Sequence, residues 1–373
     1  MHIIHITPEL PPTVGGIADY TAILTQRLVE VSDGILEPVL VRAGKASDEL
    51  PNVDFEYVDH GDTYSAEALC ATIEQLSSEA SGSAVVLLQY SGYGYAPRGA
   101  PLWLLRALQQ VCREEGVPLI TMFHELYATG PPWTSAFWLS PVQRYVAAQL
   151  AWLSSVVVTN RVDSATWLRR YVSSETPVRV QPVFSNVGEP EHVPSWDERE
   201  PYAVVFGGTG KNALYSQYGE HVARVLDLLE VPELVDIGPK PDKSLLESIG
   251  YDRITVKGFL SIKEIQGYLK NAKAGFVCRN PEAFTKSGSL AAYAAHGIPT
   301  FIGLRDSKNA SQLWKDGIHY HTLQTEENGD ERGSHLDFPV GVGANAYELY
   351  KASAHSTKAG NVFYQIINEV CAA

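Results

Sequence analysis

Short apolar runs, most of them rich in Val, Ile and Leu, recur along almost the whole chain, and segments of helical periodicity separate them. This alternation constrains the fold more than any single motif does. In the first half MHIIHIT, LEPVLVRA, SAVVLLQYSG, PLITMFHE and SSVVVTN read as strands, with GGIADYTAILTQRL, ALCATIEQLSSEA, PLWLLRALQQVCREEG and SPVQRYVAAQLAWL as helices between them. Runs that are apolar on both faces suit strands buried between helical layers, so the expectation is a parallel α/β sheet. Around Ser185 to Glu200 the texture changes to FSNVGEPEHVPSWDERE, rich in Pro, Gly and charge and without periodicity, which reads as a linker. A second series follows. YAVVFGG, ELVDIG, RITVKG, AGFVCRN and PTFIGL are strand candidates, interleaved with helices such as YGEHVARVLDLLE, SIKEIQGYLKNA and SGSLAAYAAHG. The pattern predicts two Rossmann-like halves facing each other across a cleft, then a last helix from about Lys358 to Ala373.

Composition excludes several classes of function. The formal net charge of the 373 residues is -14 and no dense Lys/Arg tract occurs, which argues against nucleic acid as a main partner and against strong electrostatic binding to anionic lipid. The four cysteines, Cys70, Cys112, Cys278 and Cys371, are scattered without CxxC spacing, and nothing at the N-terminus reads as a secretory signal. Reduced thiols in a cytoplasmic protein are expected. The most hydrophobic neighbourhood, Trp133 to Leu153, is interrupted by Gln143, Arg144 and Gln149, so it is not read as a membrane span.

Four strand-end loops can carry chemistry. PPTVGGIADY brings Gly15 and Gly16 to a helix start, where backbone can approach a phosphate, although a tight turn uses the same residues. GGTGKN offers Gly207, Thr209 and Lys211, but Val205 and Asn212 occupy positions where a P-loop needs Gly and Ser/Thr. A diphosphate site and a solvated surface turn both remain open for it. MFHELY ends a strand with His124 and Glu125, a histidine suited to a sugar hydroxyl or to proton transfer, or simply to a structural hydrogen bond. PEAFTKSGSL places Glu282, Lys286, Ser287, Gly288, Ser289 and Leu290 between an apolar strand and an Ala-rich helix, where they cap the helix or hold an anion. Tyr90 and Tyr93 follow a strand and suit carbohydrate or core packing equally. No histidine or cysteine pair has metal-ligand spacing, and no metal is assigned.

Together, PPTVGG before a helix, the strand-end His124, the central linker, the Val-Lys-Gly-Phe-Leu run ending at Leu260 and PEAF…AHGIP resemble the retaining glycosyltransferases of the two-domain B-type (GT-B) fold, in particular family 4. The resemblance spans nearly the whole chain. It implies an N-terminal, acceptor-side Rossmann-like domain over residues 1–186 with a C-terminal crossover helix at about 358–373, and a donor-binding domain over 187–357. It further implies that Glu282 faces the transferred sugar, that His124 touches it, and that Ser287, Ser289 and the amides from Lys286 to Leu290 hold the diphosphate. Lys211 and Thr209 would meet that diphosphate from one side and Gly15 and Gly16 from the other. Val256, Gly258, Phe259 and Leu260 would line the base, with Tyr90, Tyr93 and Glu125 toward the acceptor.

The implied reaction moves a hexose from a nucleoside diphosphate sugar to a glycan or lipid-linked acceptor in exopolysaccharide or glycolipid synthesis. UDP-glucose is the first choice of donor, ahead of UDP-galactose, UDP-N-acetylglucosamine and GDP-mannose. Neither a metal nor another cofactor is required, and membrane contact is peripheral at most. The chain departs from the family at its second glutamate, which falls on Leu290 or Ala292 according to the direction of counting, and no arginine stands near Gly208. A non-catalytic or degenerate sugar-nucleotide-binding protein is therefore one alternative, and a sugar-nucleotide epimerase or phosphorylase of the same fold another.

Overall fold

In a computed structural model, the structure describes residues 1–13, 15–46, 49–80, 82–304, 311–323 and 340–372. It divides into two compact units: Met1–Pro182 with Ser356–Ala373, and Val183–His355.

The first unit is built on a seven-stranded parallel sheet of β1 (His2–Thr7), β2 (Glu37–Arg42), β3 (Tyr57–Asp59), β4 (Ala84–Tyr90), β5 (Leu119–Phe123), β6 (Val156–Thr159) and β7 (Val178–Val180), in the order β3-β2-β1-β4-β5-β6-β7. Its central strands are apolar on both faces because helices cover both. Ile4, Ile6, Val86, Leu88, Leu119 and Phe123 belong to one core cluster with Leu104, Leu108, Val146 and Leu150 of the covering helices Leu102–Gln110 and Ser135–Leu153. The C-terminal helix Ser356–Ala372 packs on the helix Gly16–Val31, where Gly360 is needed because a Cβ there would lie 2.8 Å from the Arg27 side chain.

The second unit repeats the plan. Its six parallel strands are β8 (Glu200–Phe206), β9 (Glu233–Ile237), β10 (Ile254–Gly258), β11 (Ala272–Cys278), β12 (Thr300–Gly303) and β13 (His321–Leu323), in the order β10-β9-β8-β11-β12-β13. Both sheets therefore reverse direction beside their first strand, between β1 and β4 and between β8 and β11. In open parallel sheets the loops at the carboxyl ends of such a pair splay apart and leave room for a ligand.

Two expectations change. The sequence places a helix start at Ser140-Pro141, since Pro favours the first helical turn. The helix instead begins at Ser135 and carries Pro141 inside it. Three strands were also not anticipated, β3, β7 and β13, each of three residues at the edge of its sheet and too short to show a period.

Candidate functional site: the carboxyl ends of two switch points

In the second unit the loop after β8 and the start of the helix Gly288–Ala295 meet closely. A Cβ at Gly207 would lie 2.7 Å from Ser289 Oγ, and Gly207 has φ +150°, so only glycine fits the turn. At Gly210 a Cβ would fall 2.9 Å from an Arg279 guanidinium nitrogen. Gly207, Gly208, Gly210, Lys211, Arg279 and Ser289 thus line a shallow, solvent-open recess over the β8/β11 switch point. The glycines of GGTGKN are there because a serine and an arginine press on them. The Thr209 side chain lies outside the described residues.

Ser287 caps the helix, its Oγ accepting from the Leu290 amide at 3.3 Å. The Ser287 amide itself donates to Phe284 O. Of the amides expected to hold a diphosphate, those of Ser287 and Leu290 are thereby committed, and Gly288 and Ser289 lead the open end of the helix, where no intrahelical acceptor exists. Glu282 is half-buried in the short 3-10 turn Pro281–Lys286, which Phe284 anchors by packing edge-on against Trp314 and Tyr320. Leu290 and Ala292 are both fully buried, so neither position presents a side chain to a ribose.

Lys211 is placed otherwise than its sequence neighbourhood suggests. Its ammonium is buried and donates to Asp236 Oδ1 at 2.6 Å and to Ile237 O at 3.3 Å, while the Tyr215 hydroxyl donates to Asp236 Oδ2. Burial draws the Lys211 pKa down and the bond to Asp236 opposes it; burial and the Asp236 charge push the Tyr215 hydroxyl well up. Asp236 has no local partner on β9 and is fully buried, so this lysine is what makes it tolerable there. Two cations line the recess with the glycines, Lys211, whose ammonium is held by Asp236, and Arg279, which directly follows the apolar run of β11 and was not among the sequence candidates.

Neighbouring loops extend the site in a row. A Cβ at Gly238 would lie 2.2 Å from Gly207 O, and the Gly238 amide donates to Gly258 O at 2.8 Å. Beyond Gly258, Phe259 is exposed and Leu260 half-buried, with Val256 on β10.

In the first unit the helix start at Gly15-Gly16 already has an anion. A Cβ at Gly15 would lie 2.1 Å from a Glu9 carboxylate oxygen, and the amides of Ala18 and Ile17 donate to Glu9. Burial raises the Glu9 carboxyl above its usual range and the two amides hold it down. The reading of Gly15 and Gly16 as a phosphate cradle overlooked this carboxylate, whose signal was an acid in the loop just before the glycines.

His124 belongs to a relay across three adjacent strands. His5 Nδ1 lies 2.8 Å from Thr25 Oγ1, His5 Nε2 lies 2.8 Å from Gln89 Nε2, and Gln89 Oε1 lies 2.8 Å from His124 Nε2. Thr25 spends its own hydroxyl proton on Thr21 O, so His5 Nδ1 must carry the proton and Nε2 must accept from Gln89. The Gln89 oxygen then accepts from His124 Nε2–H, which fixes that ring's tautomer and orientation. Burial, and next the nearby His124, lower the His5 pKa to about 3, so it stays neutral. Tyr20 meets His124 edge-on, with ring centroids 4.8 Å apart.

Glu125 is exposed and the half-exposed Tyr93 hydroxyl accepts from Gln143. Tyr90 is instead fully buried against Phe123, because β4 runs one residue further than a loop assignment allows, and it belongs to the core. Among the described residues no group of three His, Cys, Asp or Glu side chains is placed to hold a metal ion.

No protein-family model matches the chain, and no curated protein matches it. Solved structures do. TarM aligns with a TM-score of 0.64 at 10% identity, covering 98% of each chain. Sucrose-phosphate synthase from Thermosynechococcus elongatus aligns with a TM-score of 0.61 at 12% identity, over 99% of this chain and 100% of the other. The lipopolysaccharide outer core galactosyltransferase WaaB in its apo form gives 0.56 at 15% identity, over 98% and 100%. At such identities the likeness is one of fold, and with two Rossmann-ordered parallel sheets in one chain it shows that this protein has the GT-B fold of glycosyltransferases.

Proposed function

We propose that this protein is a retaining glycosyltransferase that moves a hexose from a nucleoside diphosphate sugar, UDP-glucose first among them, to a glycan or lipid-linked acceptor. The observation that carries the reading is the recess over the β8/β11 switch point, where a glycine loop, the start of the helix Gly288–Ala295 and Arg279 come together. As the glycosidic bond breaks, negative charge builds on the departing diphosphate. Fixed N–H groups of Gly288 and Ser289 and the Arg279 guanidinium stabilise that charge without having to reorganise. The acceptor hydroxyl adds to the anomeric carbon on the face the diphosphate leaves, and its proton passes to a phosphate oxygen. Glu282 orients sugar hydroxyls, Phe259 offers a ring for the base, and His124, held in one tautomer by Gln89, serves the sugar.

A second reading, a degenerate sugar-nucleotide-binding protein, is favoured by two observations: Lys211 is committed to Asp236, and the side chains at both addresses of the family's second glutamate are buried. Incubation with UDP-glucose, UDP-galactose, UDP-N-acetylglucosamine and GDP-mannose, with and without acceptor glycans, separates the two. Released nucleotide with one donor and an anomer of unchanged configuration in the product supports the transferase. Nucleotide binding without turnover of any donor supports the degenerate protein, and conversion of one sugar nucleotide into another would make it an epimerase.

A further inference from the structure

The helix Ser135–Leu153 is apolar on two faces. Val146, Ala147, Leu150 and Ala151 enter the core of the first unit, as an amphipathic helix requires. The opposite face should be polar, yet Trp138, Tyr145 and Trp152 recur there at seven-residue spacing and are 71%, 53% and 54% exposed. Trp133, just before the helix, is 84% exposed. Over the two seven-residue intervals from Trp138 to Trp152 that stripe runs about 20 Å, longer and more aromatic than scattered surface hydrophobes account for.

Charge says what covers it. Between Glu125 and Asp163 the chain carries no acidic residue, although Asp and Glu number 43 in all. The cations beside the stripe stand on aromatic rings: Arg113 lies 4.9 Å from the Trp152 ring centre and Arg144 4.3 Å from that of Tyr127. Glu114 and Glu115 follow Arg113 directly and are exposed, and Glu125 and Asp163 flank the acid-free segment.

We propose that this face lies on a lipid bilayer, its indoles and phenol at headgroup level and Arg113 and Arg144 on anionic headgroups. Trp and Tyr present an apolar body with one polar tip, and arginine keeps its head in water while its stem lies on apolar surface. A convex helix face cannot enclose a saccharide. In a two-fold contact with a second copy the same arginines would confront each other, in molecules that each carry a net charge of -14. Among the described residues no helix is long and apolar enough to cross a membrane, so the contact is one of lying on the surface.

The test reads lipid rather than turnover and so stands apart from the transferase reading. The full chain is sedimented with vesicles of phosphatidylcholine alone and of phosphatidylcholine with roughly one third phosphatidylglycerol. The expected result is partition onto the anionic vesicles, reduced about tenfold or more in Trp138→Ala/Tyr145→Ala/Trp152→Ala with little change in Tm. Arg113→Gln/Arg144→Gln should remove the preference for phosphatidylglycerol. Should the triple variant unfold, Trp133→Ala/Trp138→Ala, confined to the exposed end of the face, carries the same expectation. Absence of partition onto either vesicle, or wild-type partition in the aromatic variants, would overturn the proposal. So would a lipid-free dimer in sedimentation velocity that the aromatic substitutions dissociate, because a second copy would then cover the face.

Discussion

Lys211 and Asp236 form a buried ion pair, Nζ to Oδ1 2.6 Å, at the carboxyl end of the β8 and β9 strands, with the Tyr215 hydroxyl on the second carboxylate oxygen. A lysine at the end of a glycine loop is easily taken for a phosphate ligand. Here it neutralises a charge inside its own domain.

Removing one partner leaves the other charged and dry. Lys211→Ala should therefore lose stability on the order of 3–5 kcal/mol, seen as a lower urea midpoint. Lys211→Met/Asp236→Asn, which keeps an acceptor for Tyr215, should recover more than half of that loss. A Lys211→Ala variant with an unchanged midpoint would mean that the lysine is exposed and available to a ligand.

Two glycines of the same loop should behave differently. Gly207→Ala meets both an unfavourable φ and the Ser289 hydroxyl, and should cost about 1–3 kcal/mol. At Gly210 the added methyl meets only the flexible end of Arg279. Gly210→Ala should keep its Tm and weaken UDP binding by moving that guanidinium. Calorimetric melting and UDP titration of the two variants check the contrast, and equal losses of stability would contradict it.

Each unit buries a neutral histidine. The pKa of His5 is lowered to about 3 and that of His296 to about 4, in both cases chiefly by burial, and His296 Nδ1 is bonded to Ala292 O. Below the ordinary histidine pKa the unfolded chain binds protons that the folded chain refuses, so stability is full above about pH 6.5 and falls as pH drops towards these lowered values. The deficit should reach on the order of 3 kcal/mol per histidine at pH 4. Denaturant titrations from pH 7 to 4 measure it, and a flat profile across that range would contradict the buried neutral rings.

The relay predicts two opposite tautomers at neutral pH, Nδ1–H for His5 and Nε2–H for His124. Long-range proton–nitrogen NMR correlations distinguish them. Gln89→Leu should release His124 into a mixture of tautomers and lower kcat about tenfold or more, while leaving UDP affinity unchanged. A single unaltered His124 tautomer in that variant would show that Gln89 does not position it.

The sheets were legible because their central strands are continuous apolar runs bounded by glycine and helix caps, a signal that needs no tertiary information. The edge strands β3, β7 and β13 were not, since three residues carry no period. The loops of the site were legible as loops, from Gly207-Gly208 and Ser287-Gly288-Ser289 at strand ends. Their electrostatics were hidden because the two interactions that matter, one ion pair and one carboxylate held by backbone amides, are non-local. Asp236 looks like an interruption in ELVDI until Lys211 is folded onto it, and Glu9 looks like a turn residue until the amides of Ile17 and Ala18 reach it.

The central claim is that the recess over the β8/β11 switch point binds a nucleoside diphosphate through Arg279 and the start of the helix Gly288–Ala295. Isothermal titration of UDP into the wild-type protein and Arg279→Gln tests it most directly. The account predicts one UDP site per chain in the wild type, competed by UDP-glucose, and an affinity about tenfold to a hundredfold weaker in Arg279→Gln at an unchanged Tm. Equal affinity in the two proteins would place the diphosphate elsewhere, and no heat with UDP or GDP at millimolar concentration would contradict a nucleotide site altogether.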